Sequence, residues 1–186
     1  AELLYQCTFG ILSVLLTGCL AWGALQTEEK PLAGDWIVPP AAVMVFIILN
    51  GGLKLESAGA AGTFTAGCAA FFTSFTYCGL RRKLPDEHFF TPGADYNFNQ
   101  ALTAILPMLA VLLGAAVFNE GIRLVFHIES FQEVFVLLSN TLFRHMGRGL
   151  VSSALFVFLS SVLWLLGIHG ANVLENVSRS LFQEGM

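Results

Sequence analysis

The residues best suited to chemistry lie late in the chain, in the run Trp164-Leu165-Leu166-Gly167-Ile168-His169-Gly170-Ala171-Asn172. A histidine flanked by glycines at the close of an apolar stretch is a costly arrangement. Glycine weakens a helix and bares backbone groups, and irregular backbone at membrane depth persists only beside protein or a wet cavity. An imidazole can donate or accept hydrogen bonds, and so can the Asn172 carboxamide. Such groups suit a neutral polyol better than an ion. A second reading also fits the spacing: the helix simply breaks at Gly170 and His169 sits in the headgroup region.

Other constellations are missing. The sequence has no GxxxxGK[ST], no HExxH and no GxSxG, so phosphate-loop, zinc-protease and nucleophile-elbow chemistry have no foothold. His88, His127 and His145 are scattered through polar or amphipathic segments and read as surface or interfacial. Cys7, Cys19, Cys68 and Cys78 show no CxxC or Cys–His zinc spacing. They read as small packing residues, and no metal or cofactor is expected.

The elements that must position the Trp164–Asn172 run are membrane helices. Of the 186 residues, 55% are hydrophobic and only 12% charged, with a mean hydropathy of +0.71. A soluble domain carries about 25% charge. Here the deficit falls in long uncharged runs, which marks a lipid-facing surface. Nine Lys and Arg against thirteen Asp and Glu give no reason to expect a nucleic-acid partner.

About 20 apolar residues cross a bilayer. Five runs qualify as expected spans: residues 3–25, 37–53, 58–80, 101–118 and 150–168. The second opens with Pro39-Pro40, which a helix tolerates in its first turn. Trp36 precedes it as an interfacial aromatic. The fourth contains Pro107, an expected kink. The third carries a small residue at every fourth position: Ala58, Gly62, Ala66, Ala70, Ser74 and Cys78. Such a stripe lets another backbone approach closely in lipid.

Residues 119–147 differ. Glu120, Arg123, His127, Ser130 and Glu133 recur three and four apart on an otherwise apolar stretch. This predicts an amphipathic helical connector along the membrane surface. A span whose polar stripe faces protein is the alternative. Arg81, Arg82 and Lys83 form the densest basic cluster and place the end of the third run in the cytoplasm. Arg123, Arg144 and Arg148 then fall outside, against that orientation. The expected fold class is an all-α integral membrane protein with about five transmembrane helices and an interfacial stretch, in one membrane domain over 1–186.

The string LWLLGIHGANV, residues 163–173, resembles the signature of phosphotransferase IIC subunits of the lactose/cellobiose/chitobiose family. GAAGTFTAG, residues 59–67, is similar to the glycine-bearing start of a family helix. FTPGADYNFNQALTAILP, residues 90–107, resembles a third family segment, in the same order and at fitting separations. The resemblance implies a bacterial inner-membrane, multi-pass protein, as a homodimer, that binds a disaccharide and moves it inward. Cytoplasmic IIA and IIB partners would supply the phosphoryl group, with the donor residue on IIB and not in this chain. The family's motif histidine belongs to the sugar site, which carries that role to His169, with Trp164 and Asn172 as neighbours.

Two departures stand. At Thr91-Pro92-Gly93-Ala94-Asp95 the family's proline pair and valine are not kept, and its later Asn-Glu-Pro motif is absent. The chain is therefore expected to correspond to roughly the N-terminal half of such a subunit, without its very start. The rival readings are an ion-coupled secondary carrier, which would need intramembrane carboxylates that the apolar runs lack, and a non-transporting scaffold that associates through the small-residue stripe. An intramembrane hydrolase using Ser152, Ser153, Ser160 or Ser161 ranks last. Serine in a membrane helix usually bonds its own backbone or a neighbouring helix.

Overall fold

The computed structural model describes residues 2–27, 34–83, 93, 95–128, 130–131, 133–134, 137 and 150–165. Among them every regular element is a helix or helical turn. These are α1 (Glu2–Cys7), α2 (Leu12–Gln26), α3 (Val38–Leu49), α4 (Leu55–Ala58), α5 (Thr63–Arg81), α6 (Tyr96–Phe126) and α7 (Leu150–Leu165). Short 3-10 turns occupy Phe9–Ile11, Asp35–Ile37 and Ala60–Gly62.

Helices α2, α3 and α5 pack on one another, and α6 lies against α3 and α5. The stripe on α5 is buried: Ala66, Ala70 and Ser74 all face protein. A matching series on α2 completes the seam, because Ser13, Thr17 and Ala21 are also four apart and buried. The Ser74 hydroxyl donates to the Ala21 carbonyl across it at 3.5 Å. Small residues let these two backbones approach, which is how helices gain contact where lipid removes the hydrophobic drive. Val45, Phe46, Leu49, Tyr77, Val111 and Ala115 fill out the core. The large apolar side chains Leu15, Trp22, Phe71, Phe75, Leu113 and Val117 point outward. Small residues along the α2–α5 seam and large apolar side chains on the outer surface suit a lipid surround.

Among the described residues, two stretches, Leu3–Gln26 and Ala101–Phe126, are long and apolar enough to cross a membrane. Asp35–Leu49 and Leu150–Ser161 are shorter apolar helices. α5 is less apolar than the other long helices, because Thr63, Thr65, Thr73, Ser74 and Thr76 line it. Among the described residues this measure gives two spans, against the five expected from the sequence.

Element boundaries shift for identifiable reasons. α3 begins with Pro39-Pro40 in its first turn, as expected, but ends at Leu49 instead of residue 53. Gly51 and Gly52 turn the chain there with φ of 69° and 126°, a region that glycine enters without steric penalty. The third run does not start a helix at residue 58. Gly59 is extended and separates α4 from the turn that leads into α5. α6 continues past residue 118 to Phe126, so the first residues of the expected connector belong to the fourth run's helix. It stops at His127, which is left-handed with φ 53°. At ~1.5 Å per residue α6 is roughly 46 Å long, beyond the ~30 Å hydrocarbon layer. Pro107 sits inside α6 without ending it.

Candidate functional site

Trp164 is in the last turn of α7 and is half exposed. His169 and Asn172 lie outside the described residues, so the structure does not bring the three together. A shallow, largely apolar groove runs along α7 beside Leu150, Ser153, Ala154, Val157, Phe158 and Ser161. The Ser161 hydroxyl donates to the Val157 carbonyl of its own helix at 2.8 Å. This is the backbone bonding expected of a membrane-helix serine, and it gives no support to a nucleophile.

Besides the polar residues of the α2–α5 seam, some buried polar residues lie towards the two ends of the α3–α5 pair. At one end are Asp35, Tyr77 and Arg81, each buried. Asp35 sits in the turn before α3, and Tyr77 and Arg81 lie one helical turn apart on α5. Both charges act on the Tyr77 hydroxyl, which makes no hydrogen bond of good geometry. α6 packs against the Asp35–Ile37 turn, and its buried Asn99 and Thr103 belong to its first turns. Burial of charges requires charged or hydrogen-bonding neighbours, because desolvation otherwise drives them neutral. This cluster therefore ties the start of α3 to the end of α5.

Sequence reasoning missed the cluster. Asp35 reads as part of a polar loop, and Arg81 as one of three solvated basic residues. Only Arg82 and Lys83 are exposed. The available signal was periodic: Ala70, Ser74, Tyr77 and Arg81 follow one another at steps of four, three and four along the buried face of α5.

At the other end, α3 closes on Asn50, α5 opens with Thr63 and Thr65, and the Ser13 hydroxyl of α2 donates to the Gly59 carbonyl. Lys54 follows directly, and its carbonyl accepts from the Ser57 hydroxyl at 3.0 Å.

The chain is 27% identical over 165 residues to a protein named PTS system cellobiose-specific EIIC component from Geobacillus stearothermophilus. That alignment covers 85% of this chain and 35% of the relative. It is also 27% identical over 177 residues to a lichenan permease IIC component from Bacillus subtilis strain 168, covering 90% of this chain and 37% of the relative. The chain thus spans little more than a third of the length of these curated relatives, less than the half expected from its sequence. No family model matches it, and no solved structure does. The resemblance to phosphotransferase IIC subunits, read first from LWLLGIHGANV, holds over most of the chain.

Proposed function

We propose that this chain is part of the membrane-embedded, sugar-translocating subunit of a phosphoenolpyruvate-dependent phosphotransferase system. The single observation that carries the reading is the similarity to IIC permease components over about nine-tenths of the chain. The GIHG string at residues 167–170 and the large apolar side chains exposed on the helix surfaces support it. The substrate is a disaccharide of the cellobiose type, bound from outside and released inward. Phosphorylation is carried out by a cytoplasmic IIB partner charged by IIA.

In this reading His169 and Asn172 hydrogen-bond sugar hydroxyls, and Trp164 offers an apolar face to a sugar ring. The complete subunit is a homodimer in the bacterial cytoplasmic membrane. Helices α2, α3, α5, α6 and α7 cross or enter the bilayer within one membrane domain, and the stretch from the end of α6 to residue 147 forms an amphipathic connector.

The test is cellobiose uptake into vesicles that contain the complete subunit. Accumulation of phosphorylated sugar that requires phosphoenolpyruvate and the partner IIA and IIB components supports the assignment. Uptake that depends on an ion gradient instead assigns the chain to a secondary carrier.

A further inference from the structure

We propose that a single buried water molecule sits at the Asp35 end of the α3–α5 pair and joins the Thr73 hydroxyl, the Tyr77 hydroxyl and the Asp35 carboxylate. Thr73 and Tyr77 are both 0% exposed, and among the described residues neither hydroxyl has a hydrogen-bond partner of good geometry. Buried polar groups are almost always satisfied in native proteins, and an exception points to a water, an ion or a ligand.

The three groups are neighbours. Thr73 and Tyr77 stand one turn apart on the same face of α5, ~6 Å along its axis. A long side chain on a helix leans towards the N-terminus, which carries the Tyr77 phenol over Thr73. The Asp35 charge acts on that same phenol, yet no direct bond of good geometry forms. Polar groups that lie close without bonding directly are the arrangement a bridging water produces.

Thr73 has no other outlet. Asp35, just before α3, lies at Tyr77, and the Phe46 ring, towards the end of α3, lies against Gly62. Helix α3 therefore runs back along this face of α5, and Thr73 meets its first turns, where Val38, Ala41 and Ala42 are apolar and buried. Nor does Thr73 bond its own helix. Thr17, Thr63 and Thr103 each donate to a carbonyl three or four residues earlier, at 2.7 to 2.9 Å. Thr73 makes no such bond.

Water fits this set of groups. It can donate to the carboxylate and accept from the Tyr77 O–H, which leaves one proton and one lone pair for Thr73. Buried waters make about three such bonds. Charges of both signs, Asp35 and Arg81, act on the Tyr77 hydroxyl, so neither an anion nor a cation is favoured there. Both hydroxyls are closed to the surface, which selects the smallest neutral ligand.

The test is X-ray hydroxyl-radical footprinting of the folded complete subunit, in which radicals form from the water itself and oxidise the side chains beside it. Wild type, Thr73→Val and Thr73→Ser are compared by mass spectrometry. The water predicts oxidation of Tyr77 in the wild type although the residue is fully buried, loss of that oxidation in Thr73→Val, and its retention in Thr73→Ser. The thermal midpoint is the second reading. An apolar group of the same shape in place of an unligated buried hydroxyl is neutral or stabilising, whereas one that strands a bound water lowers the midpoint. The midpoint should therefore fall in Thr73→Val and recover in Thr73→Ser. Absence of Tyr77 oxidation in the folded wild type, a reading that needs no variant, overturns the proposal. So does a Thr73→Val variant that keeps the oxidation, or one whose midpoint is unchanged or raised.

Discussion

The hydroxyl of Ser13 on α2 donates to the backbone carbonyl of Gly59 at 2.5 Å, across 46 residues of sequence. That bond holds the turn before α5 against the start of α2. A side-chain carbon on Gly59 would meet the Phe9 carbonyl oxygen at 3.2 Å, so the two backbones already touch. The neighbouring Gly62 is tighter still. The Ser57 carbonyl oxygen and the Phe46 ring occupy the space a β-carbon would need there.

This contact makes Gly62 the most sensitive position of the small-residue stripe. Even Gly62→Ala must displace backbone, and Gly62→Leu must displace the Phe46 ring as well. Ala66→Leu overfills the α2–α5 seam, which typically costs about 1–3 kcal/mol. The double variant is expected to assemble poorly, as read by size-exclusion chromatography and protease resistance in detergent and in lipid. Wild-type behaviour in both media would remove the seam from the account.

The Asp35–Tyr77–Arg81 cluster carries a second expectation. Asp35→Ala takes a carboxylate away from a buried phenol and a buried guanidinium. Leaving buried polar groups without their partner costs roughly 1–3 kcal/mol each. The thermal midpoint of the complete subunit should fall, whereas Lys83→Ala, at an exposed position two residues past Arg81, should leave it nearly unchanged. Equal, small effects of the two changes would make Asp35 an ordinary loop residue.

A third expectation concerns the end of α6. Glu120 and Arg123 form an exposed ion pair at 2.7 Å one turn apart, worth little by itself because water screens it. If this segment lies at the membrane surface, a cysteine at position 123 in a cysteine-free background should react with a membrane-impermeant maleimide. Protection equal to that of a cysteine at Leu113 would place it within the hydrocarbon and refute the interfacial connector.

The sequence made the seam legible only from one side. The period of Ala66, Ala70 and Ser74 stood out because so many small residues coincide. Ser13, Thr17 and Ala21 carry the same period on α2, yet bulky leucines between them hid it. Pro39-Pro40 marked the start of α3 correctly, because its fixed φ suits a first turn. Hydropathy could not locate the extended Gly59 or the left-handed Gly51 and Gly52, since it records polarity and not backbone conformation. Hence the apolar runs were read longer than α3 and earlier than α5.

The polar clusters were less legible, for a different reason. Asp35 is buried by tertiary contact, which no local pattern encodes, and Arg81 shares a basic triplet with two exposed neighbours. Thr73 is conspicuous only once its missing partner is counted in three dimensions. Of the three residues assigned to the sugar from the sequence, the structure places Trp164 alone, at the end of α7.

The central claim is that this chain contributes His169 to a disaccharide site, and equilibrium cellobiose binding to the purified complete subunit tests it most directly. The comparison is wild type against His169→Ala at matched folding. Losing a neutral hydrogen bond removes on the order of 1 kcal/mol, and stranding a buried partner costs about 1–3. Binding should therefore weaken roughly 5- to 150-fold with the thermal midpoint unchanged. Wild-type affinity in the Ala variant would contradict the account and leave His169 as a residue at a helix end.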